Sequence, residues 1–329
     1  MTPSTSASAD APDPRRTAYD ESFPAPAKAA IVGVGLLGGS IGLALRRRWP
    51  EIEVWGTSRN EARRRLAVET GCVTRAVADP AAACRDADLV FVCTPVGKIA
   101  QHCTALAAAC PSRTLLTDVG STKRQLVAQI EQDPRAAAMF VGSHPIAGGE
   151  RTGPGHARAD LFQGKRVVVT PTAQTDPARL RQAVALWQTL GSEVLQMSPE
   201  THDRLLAGIS HATHFASCAV ASILRPDELP LVGSGWRDTT RVAAGDPQMW
   251  NDIAMQNAGP ISQRLGDVRE ALDRLIAAID SGDSAALLQL LTEAQTLRKS
   301  LPAASAEHAP RSGHPENVSA ARTDPAPGD

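Results

Sequence analysis

The sequence predicts an α/β fold, a doubly wound parallel sheet, that is followed by an all-α domain. Between residues 28 and 198, short runs of Val, Ile and Leu alternate with amphipathic stretches. Such nearly continuous apolar runs are typical of parallel strands that are buried on both faces, with helices between them. After Pro199 only helical periodicity is found, through Lys299. A chain of 329 residues is long enough for two such domains.

Each element of the sheet domain is predicted from its own segment. The runs that predict strands are, in order, AAIVGVG, EVWG, DLVFVCTP, TLLTDVG, MFVGSHP, KRVVVTP and EVLQMSP. Helices are predicted through Leu45, from Asn60, after Val96, from Thr122 and over about residues 176–190. We expect the last two strands to extend the same parallel sheet.

The predicted boundaries follow from the change of pattern along the chain. Residues 28–198 form the sheet domain and residues 199–302 the helical domain. Residues 1–27 and 303–329 are rich in Pro, Ala, Ser, Asp and Gly and lack apolar periodicity, so both are predicted to be disordered tails. The long helices after Pro199 carry more apolar surface than packing beside the sheet needs, which predicts a homodimer through the helical domain.

Charge and composition favour a small-molecule partner. The 34 basic and 35 acidic side chains give a net charge of −1, which supplies no field for a nucleic acid or an anionic membrane surface. No apolar run reaches the roughly 18 residues that cross a bilayer. The six cysteines lack the spacing of a zinc site, so they are predicted to be reduced core residues and no metal is expected. The N-terminus has no apolar signal core, and we expect a cytoplasmic protein.

The segment GVGLLGGS is the first candidate binding site. Gly33, Gly35 and Gly38 have the spacing G-x-G-x-x-G, directly after a predicted strand and at the start of a helix. These glycines allow a tight turn and a close approach of the backbone to a pyrophosphate. The N–H groups at the start of the helix, at Leu36 and Leu37, are available to the anion. In this context the motif predicts a Rossmann-like dinucleotide site rather than a plain glycine-rich turn.

The end of the second predicted strand bears on the choice of cofactor. An NAD-specific protein usually carries Asp or Glu there, about twenty residues after the last glycine of the motif. This sequence has Ser58 at the acidic position, with Arg59 beside it. A hydroxyl and a guanidinium can bind a 2′-phosphate, which a carboxylate would repel. NADP is therefore favoured, and NAD is the alternative if Arg59 is only a solvated charge.

Several polar residues are candidates for chemistry. His144 stands at the carboxyl end of a predicted strand, where doubly wound sheets bind their ligands, and an imidazole suits a general base near neutral pH. At 100° per residue, Asp203, Ser210 and His214 fall on one stripe of the first helix of the second domain. His202 and His211 are then predicted to project elsewhere, which argues against three histidine ligands to a metal.

Four segments carry a resemblance to a known family. They are DVGSTK (118–123), GSHPIAGGE (142–150), SPETHDRLLAGISHATH (198–214) and WRDTTRVAAGDPQMW (236–250). In this order they closely resemble the prephenate/arogenate dehydrogenases of tyrosine biosynthesis, over about residues 30–301. The resemblance implies a Rossmann-like domain, a helical dimerisation domain and NAD(P)-dependent oxidative decarboxylation. We expect prephenate as the substrate and 4-hydroxyphenylpyruvate as the product, with arogenate dehydrogenase activity as the alternative.

The resemblance also implies roles near the cofactor. Ser121 matches a serine that lies near the catalytic histidine, here His144, and near the nicotinamide. The competing interpretation of Ser121 is the N-cap of the helix that is predicted from Thr122. Thr94, Pro95 and Asp118 complete the expected cofactor-binding set.

Further matched positions concern the substrate. His214 belongs by resemblance to the substrate pocket, with His202 and Asp203 in the polar network around it. Arg241 matches a position that binds a substrate carboxylate, for which a planar guanidinium is suited. Glu150 and Arg237 match positions that line or close the site.

Two other functions are weighed against this one. A different Rossmann dehydrogenase, acting on a hydroxy acid or an imine, would not account for the S-H-P-I-A-G-G-E segment together with His214 and Arg241. A catalytically silent dinucleotide-sensing protein would not require His144 and Ser121. Neither alternative explains the motifs as well as a prephenate or arogenate dehydrogenase does.

Overall fold

The computed structural model describes residues 23–147 and 151–301. Eight strands form one sheet in the order β3-β2-β1-β4-β5-β6-β7-β8. The strands are β1 (Lys28–Val32), β2 (Glu53–Thr57), β3 (Arg75–Val77), β4 (Leu89–Val92), β5 (Leu115–Asp118), β6 (Phe140–Pro145), β7 (Arg166–Thr170) and β8 (Glu193–Gln196). The reversal of strand order between β1 and β4 creates the crevice in which doubly wound sheets bind ligands. The predicted fold class is confirmed.

Helices cover the sheet and make up the rest of the chain. In the sheet domain they are α1 (Leu36–Arg48), α2 (Glu61–Glu69), α3 (Pro80–Cys84), α4 (Val96–Ala107), α5 (Arg124–Ile130), α6 (Pro134–Met139) and α7 (Pro177–Thr189). After the sheet follow α8 (Pro199–Leu206), α9 (Ala212–Ser222), α10 (Ser234–Thr240), α11 (Pro247–Gln256), α12 (Ala258–Asp280) and α13 (Ser284–Ser300). A π-helical turn, Ala207–His211, joins α8 to α9, and a 3-10 turn, Arg241–Ala244, follows α10. None of the described helices is long and apolar enough to span a membrane.

The sheet is not parallel throughout, which corrects the sequence analysis. Strands β6 and β7 pair antiparallel, with His144 opposite Val168, whereas all other pairs are parallel. An antiparallel pair needs no crossover helix, and apolar runs carry no information on strand direction. The short strand β3 and the short helix α3 were also missed, because neither is long enough to show a period.

The core lies on both faces of the sheet. Successive residues of β1 alternate between two buried clusters, since Ile31 packs in one and Val32 in the other. Trp187 of α7 is fully buried and packs edge-on against Phe91 and Phe162. Burial of both faces explains why the strands read as continuous apolar runs rather than as alternating ones.

The folded domain begins before its predicted start. Phe23 is buried and packs against Trp49, with ring centroids 6.0 Å apart, and the backbone N–H of Ala27 donates to Asp88 at 2.9 Å. The predicted N-terminal tail of residues 1–27 is therefore too long by at least five residues. The rest of that segment, and the predicted tail at 303–329, lie outside the described residues.

The chain divides into two compact units, one that extends through Arg269 and one that begins at Glu270. The first unit holds the whole sheet and helices α1 to α11. In the second unit, Leu288, Leu291 and Leu297 of α13 are each more than half exposed. This division differs from the predicted boundary between residues 198 and 199, which stays a prediction.

Candidate active site

The turn between β1 and α1 is tight, and two glycines make it so. Gly33 has a φ of +99°, a backbone conformation that residues other than glycine rarely adopt. A Cβ there would also lie 2.8 Å from the carbonyl oxygen of Cys93. A Cβ on Gly38 would lie 2.5 Å from the carbonyl oxygen of Gly33. The N–H groups of Gly33 and Val34 both donate to the carbonyl of Thr57, which ties the turn to the end of β2.

The same turn leaves room where a pyrophosphate would bind. Among the described residues, a Cβ on Gly35 would meet nothing within 4 Å and no side chain caps the start of α1. The first N–H groups of the helix, at Leu36 and Leu37, therefore have no side-chain acceptor from this part of the chain. Across the crevice, Thr94 Oγ1 is buried and has no hydrogen-bond partner among the described residues, and the exposed Pro95 directly precedes α4. These features fit a bound dinucleotide.

Basic side chains surround the end of β2. Ser58 follows the strand directly and is half-buried, and Arg59 is exposed. The guanidinium of Arg64 donates to the carbonyl groups of Ser58 at 2.7 Å and Arg59 at 3.1 Å. Burial lowers the pKa of His102 on α4, and the charges of Arg59 and Lys98 lower it further. The loop after β2 and the start of α4 therefore share a positive rim.

Asp118 is held by contacts within the protein, and its place in the cofactor-binding set stays a prediction. Its carboxylate is fully buried and accepts from Ser143 N at 3.0 Å, Gly120 N at 2.7 Å and Lys123 Nζ at 2.5 Å. Its backbone carbonyl accepts from the Ser143 hydroxyl. Both carboxylate oxygens thus accept hydrogen bonds from within the protein, and through them Asp118 shapes the loop after β5.

Asp203 on α8 caps helix α5. Its carboxylate accepts from the backbone N–H groups of Lys123 at 2.8 Å and Arg124 at 2.9 Å, and no side chain of the local sequence caps the helix. The interpretation of Ser121 as the N-cap is therefore wrong, because the helix begins at Arg124. Ser121 is half-buried in the short loop between the Asp118 pair and the Asp203 cap.

A chain of hydrogen bonds runs from Asp203 to His144. His202 Nδ1 lies 2.8 Å from Asp203 Oδ1, and His202 Nε2 lies 2.9 Å from His144 Nδ1. A carboxylate only accepts, so the Nδ1 proton of His202 faces Asp203 and its Nε2 accepts the Nδ1 proton of His144. His144 Nε2 is thereby left as a free lone pair, the atom that a general base needs.

Burial keeps this pair of histidines neutral. It holds the pKa of His144 well below the usual value, and the nearby His202 and Lys123 lower it further. Burial also lowers the pKa of His202, although Asp203 acts in the opposite direction. A neutral imidazole can accept a proton, so His144 is competent as a base at neutral and mildly acidic pH.

The π-helical turn corrects the predicted arrangement of the polar stripe. His202 and His211 do not project away from Asp203, since all three side chains are buried together and His211 contacts the same network. The helical angle of 100° per residue does not hold across Ala207–His211, where the i→i+5 pattern changes the rotation. Among the described residues no group of three or more His, Cys, Asp or Glu is arranged to hold a metal.

A second cluster lies on α9 and the segment after it. The His214 ring stacks flat on Trp250, with centroids 3.6 Å apart and planes 7° apart, and its Nε2 lies 3.4 Å from Cys218 Sγ. Gly245 makes this possible, since a Cβ there would lie 2.5 Å from Trp250 Nε1. Arg241 is exposed at the start of the 3-10 turn that packs against α9.

The remaining predictions concern Arg237, Glu150 and the cysteines. Arg237 is exposed on α10, and α10 is tied to α9 by the bond from the Ser217 hydroxyl to the Thr239 carbonyl at 2.9 Å. Glu150 lies outside the described residues. All six cysteines are free, and four of them are buried, in line with the predicted reduced core residues.

Comparison with known proteins identifies the family. The description "Prephenate dehydrogenase, nucleotide-binding domain" matches residues 41–196, and "Prephenate dehydrogenase, dimerization domain" matches residues 198–293. A cyclohexadienyl dehydrogenase of Zymomonas mobilis is 32% identical over 83% of this chain and 95% of its own length. The chain belongs to the prephenate dehydrogenase family. It is an oxidoreductase with a site for a nicotinamide cofactor, as the motifs predicted.

Solved structures of the family agree in fold. Prephenate dehydrogenase from Aquifex aeolicus, in complex with hydroxyphenyl propionate and NAD+, has a TM-score of 0.77 at 30% identity, covering 83% of this chain and 97% of that one. Synechocystis arogenate dehydrogenase has a TM-score of 0.70 at 31% identity, covering 83% of this chain and 99% of that one. The family therefore includes relatives that are named for each of the two predicted substrates.

Three buried residues of the polar network were not predicted from the sequence. Lys123 is fully buried and paired with Asp118, and its position five residues after Asp118 in the segment DVGSTK could have indicated the pair. His211 was predicted to project away from the network, because that prediction assumed 100° per residue along the helix. Asn257, between α11 and α12, is fully buried and contacts both α8 and the π-helical turn, and no local pattern could have indicated it.

Proposed function

We propose that this protein catalyses the oxidative decarboxylation of prephenate to 4-hydroxyphenylpyruvate with NADP. The observation that carries the proposal is the relay Asp203–His202–His144, which leaves His144 Nε2 as a base. It stands beside a crevice that fits a dinucleotide. A bound nicotinamide supplies the hydride acceptor for oxidation of the ring carbon that bears the hydroxyl.

His144 removes the hydroxyl proton in this scheme. Its Nε2 accepts the proton as the hydride leaves, and the imidazolium that forms keeps donating through Nδ1 to His202. His202 in turn donates to the Asp203 carboxylate, which stabilises the positive charge without taking the proton. Loss of the ring carboxylate as carbon dioxide then completes an aromatic ring, which makes the reaction effectively irreversible.

Other residues hold and orient the substrate. Ser121 is proposed to hydrogen-bond near the reacting hydroxyl. Its half-buried position supports this role, because Gly120 N donates to Asp118 on one side of it and Lys123 N donates to Asp203 on the other. Arg241 is proposed to bind the side-chain carboxylate in bidentate fashion. His214 is proposed to line the substrate pocket, a role supported by the fixed orientation that its stacking on Trp250 gives the ring. Glu150 and Arg237 are proposed to line or close the site.

Arogenate is the second candidate substrate, because the Synechocystis relative is named an arogenate dehydrogenase. The two substrates differ by a keto or an amino group on the side chain. Neither the sequence motifs nor the described contacts single out the residue that recognises this group. Both substrates therefore belong in the assay.

The proposed activity and its base are tested together. Wild-type protein should reduce the cofactor with prephenate faster than with arogenate, followed by absorbance of the reduced cofactor. His144→Asn should lower kcat by roughly 10²-fold, because the general base is lost, with a smaller change in KM. His156→Asn, an exposed histidine, is the matched control and should keep wild-type kcat. Near wild-type kcat in His144→Asn would remove His144 from the mechanism.

Arg241 is tested through KM. Arg241→Ala should raise the KM for prephenate about tenfold or more, since a charge-assisted pair worth roughly 1.5–3 kcal/mol is lost in the ground state and the transition state alike. Arg181→Ala, at an exposed position on α7, should leave KM unchanged. An unchanged KM in Arg241→Ala would place the carboxylate anchor elsewhere.

The preference for NADP is the finer part of the proposal. Ser58 occupies the position where NAD-specific proteins carry a carboxylate. The positive charges there come from Arg59, beside Ser58, and from Lys98 on α4, and both act on His102. A 2′-phosphate would gain charge-assisted contacts there. The NAD+ bound by the Aquifex aeolicus relative keeps NAD as the alternative.

Cofactor choice is measurable before any mutagenesis. Wild type should show a higher kcat/KM with NADP than with NAD. The double substitution Ser58→Asp with Arg59→Ala should shift the ratio of the two values at least tenfold toward NAD, because a phosphate contact of roughly 1–3 kcal/mol is replaced by repulsion. Arg181→Ala serves again as the control. A wild-type preference for NAD would refute the role of Ser58 and Arg59 and leave the dehydrogenase assignment intact.

We also propose that the protein is a homodimer through its helical part. The matched description of residues 198–293 is a dimerization domain, and α13 exposes several leucines. Light scattering at micromolar concentration should give the mass of two chains, and a stable monomer would contradict the proposal.

The cytoplasmic location stays a prediction, which the six free cysteines support.

A further inference from the structure

Asn257 makes two hydrogen bonds to the part of the polar network that lies on α8 and the π-helical turn. The side chain is fully buried after α11, and its Nδ2 donates to the backbone carbonyl of Asp203 at 2.8 Å. Nδ2 also lies 3.2 Å from His211 Nδ1. A backbone carbonyl only accepts, so this contact fixes which end of the amide faces α8. Both amide protons are then used.

The second bond decides the tautomer of His211. An amide nitrogen only donates, so His211 Nδ1 accepts and the ring proton sits on Nε2. Burial lowers the pKa of His211 to about 4. The other groups that face this ring are Asp203, which raises the pKa, His202 and His214, which lower it, and the edge-on ring of Trp250.

The first bond holds the residue from which the relay starts. The Asp203 carboxylate is already committed to Lys123 N, Arg124 N and His202 Nδ1. Its geometry therefore depends on where the main chain of Asp203 lies. The Asp203 carbonyl accepts from the backbone N–H of Ala207 within the helical segment, and Asn257 Nδ2 adds a second donor from the turn between α11 and α12. Asn257 Oδ1 is buried and has no partner among the described residues, so the amide is used here through its donor end alone.

We propose that Asn257 is a positioning residue for His144, acting through the Asp203 main chain and through a neutral His211. The kinetic part rests on the proposed dehydrogenase function. The structural part, the state of the His211 ring, needs no substrate.

The wild-type protein tests the structural part directly. In full-length protein labelled with ¹⁵N-histidine, the His211 signals, assigned with His211→Gln, should show an unprotonated Nδ1 and a protonated Nε2 at neutral pH. A proton on Nδ1, or a cationic ring at neutral pH, would overturn the proposal whatever the activity of the enzyme.

Two substitutions test the kinetic part. Asn257→Leu removes the donor, and Asn257→Asp keeps the volume but places an acceptor opposite the Asp203 carbonyl. Loss of a donor on a lone pair favours protonation, so the His211 pKa should rise in both, and more in Asn257→Asp. The kcat with prephenate should fall about tenfold near neutral pH, with KM for prephenate and cofactor nearly unchanged. It should fall further toward acidic pH, where the ring becomes charged.

The matched control is Asn251→Leu, at an exposed position on α11, which should match wild type in kcat and in the His211 pKa. A merely structural role of Asn257 would lower the melting temperature and reduce kcat by the same factor at every pH. A kcat that falls by the same factor at every pH would therefore overturn the proposal. A folded Asn257 variant whose kcat and His211 pKa both equal those of wild type would also overturn it. If wild type does not oxidise prephenate, the proposed function fails and the His211 spectrum alone decides.

Discussion

The buried carboxylate of Asp203 is the contact on which the rest of this site depends. It caps helix α5 through two backbone N–H groups and at the same time accepts the proton of His202 Nδ1. One side chain of the helical segment therefore fixes the loop that carries Ser121 and the tautomer of the relay to His144. Both tasks need oxygen atoms that accept hydrogen bonds, and Asp203 commits Oδ1 and Oδ2 to them.

A second buried charge pair complements the first. Lys123 and Asp118 are fully buried and bonded to each other, and Asp118 also accepts from Ser143, the residue before His144. Buried ion pairs contribute little net stability because desolvation opposes the attraction. Here Asp118 holds Lys123 in the loop after β5, and its bonds to Ser143 join β5 to β6, so one side chain connects the loop with Ser121 to the strand that carries the base.

Much of the fold and part of the site follow from local sequence patterns. The glycine loop, the order of strands and helices and the base at the end of β6 depend on contiguous residues, so the sequence indicates them directly. The antiparallel pairing of β6 and β7 depends on how two distant runs meet, and apolar composition says nothing about it. The π-helical turn rotates His211 into the network, and Asn257 reaches it from another helix. Both are tertiary effects that helical periodicity cannot show. The same limit explains Asp118, whose place in a cofactor motif conceals that its carboxylate oxygens are used internally.

If the Asp203 carboxylate makes His144 a base, the kcat of Asp203→Asn with prephenate is the most direct measurement of that role. The substitution keeps the size of the side chain but leaves one acceptor oxygen for three donors. We expect a folded, cofactor-binding protein whose kcat is lower by roughly 10²-fold, because His202 no longer holds His144 in the basic tautomer. A folded Asp203→Asn protein with kcat near that of wild type would show that His144 does not depend on Asp203.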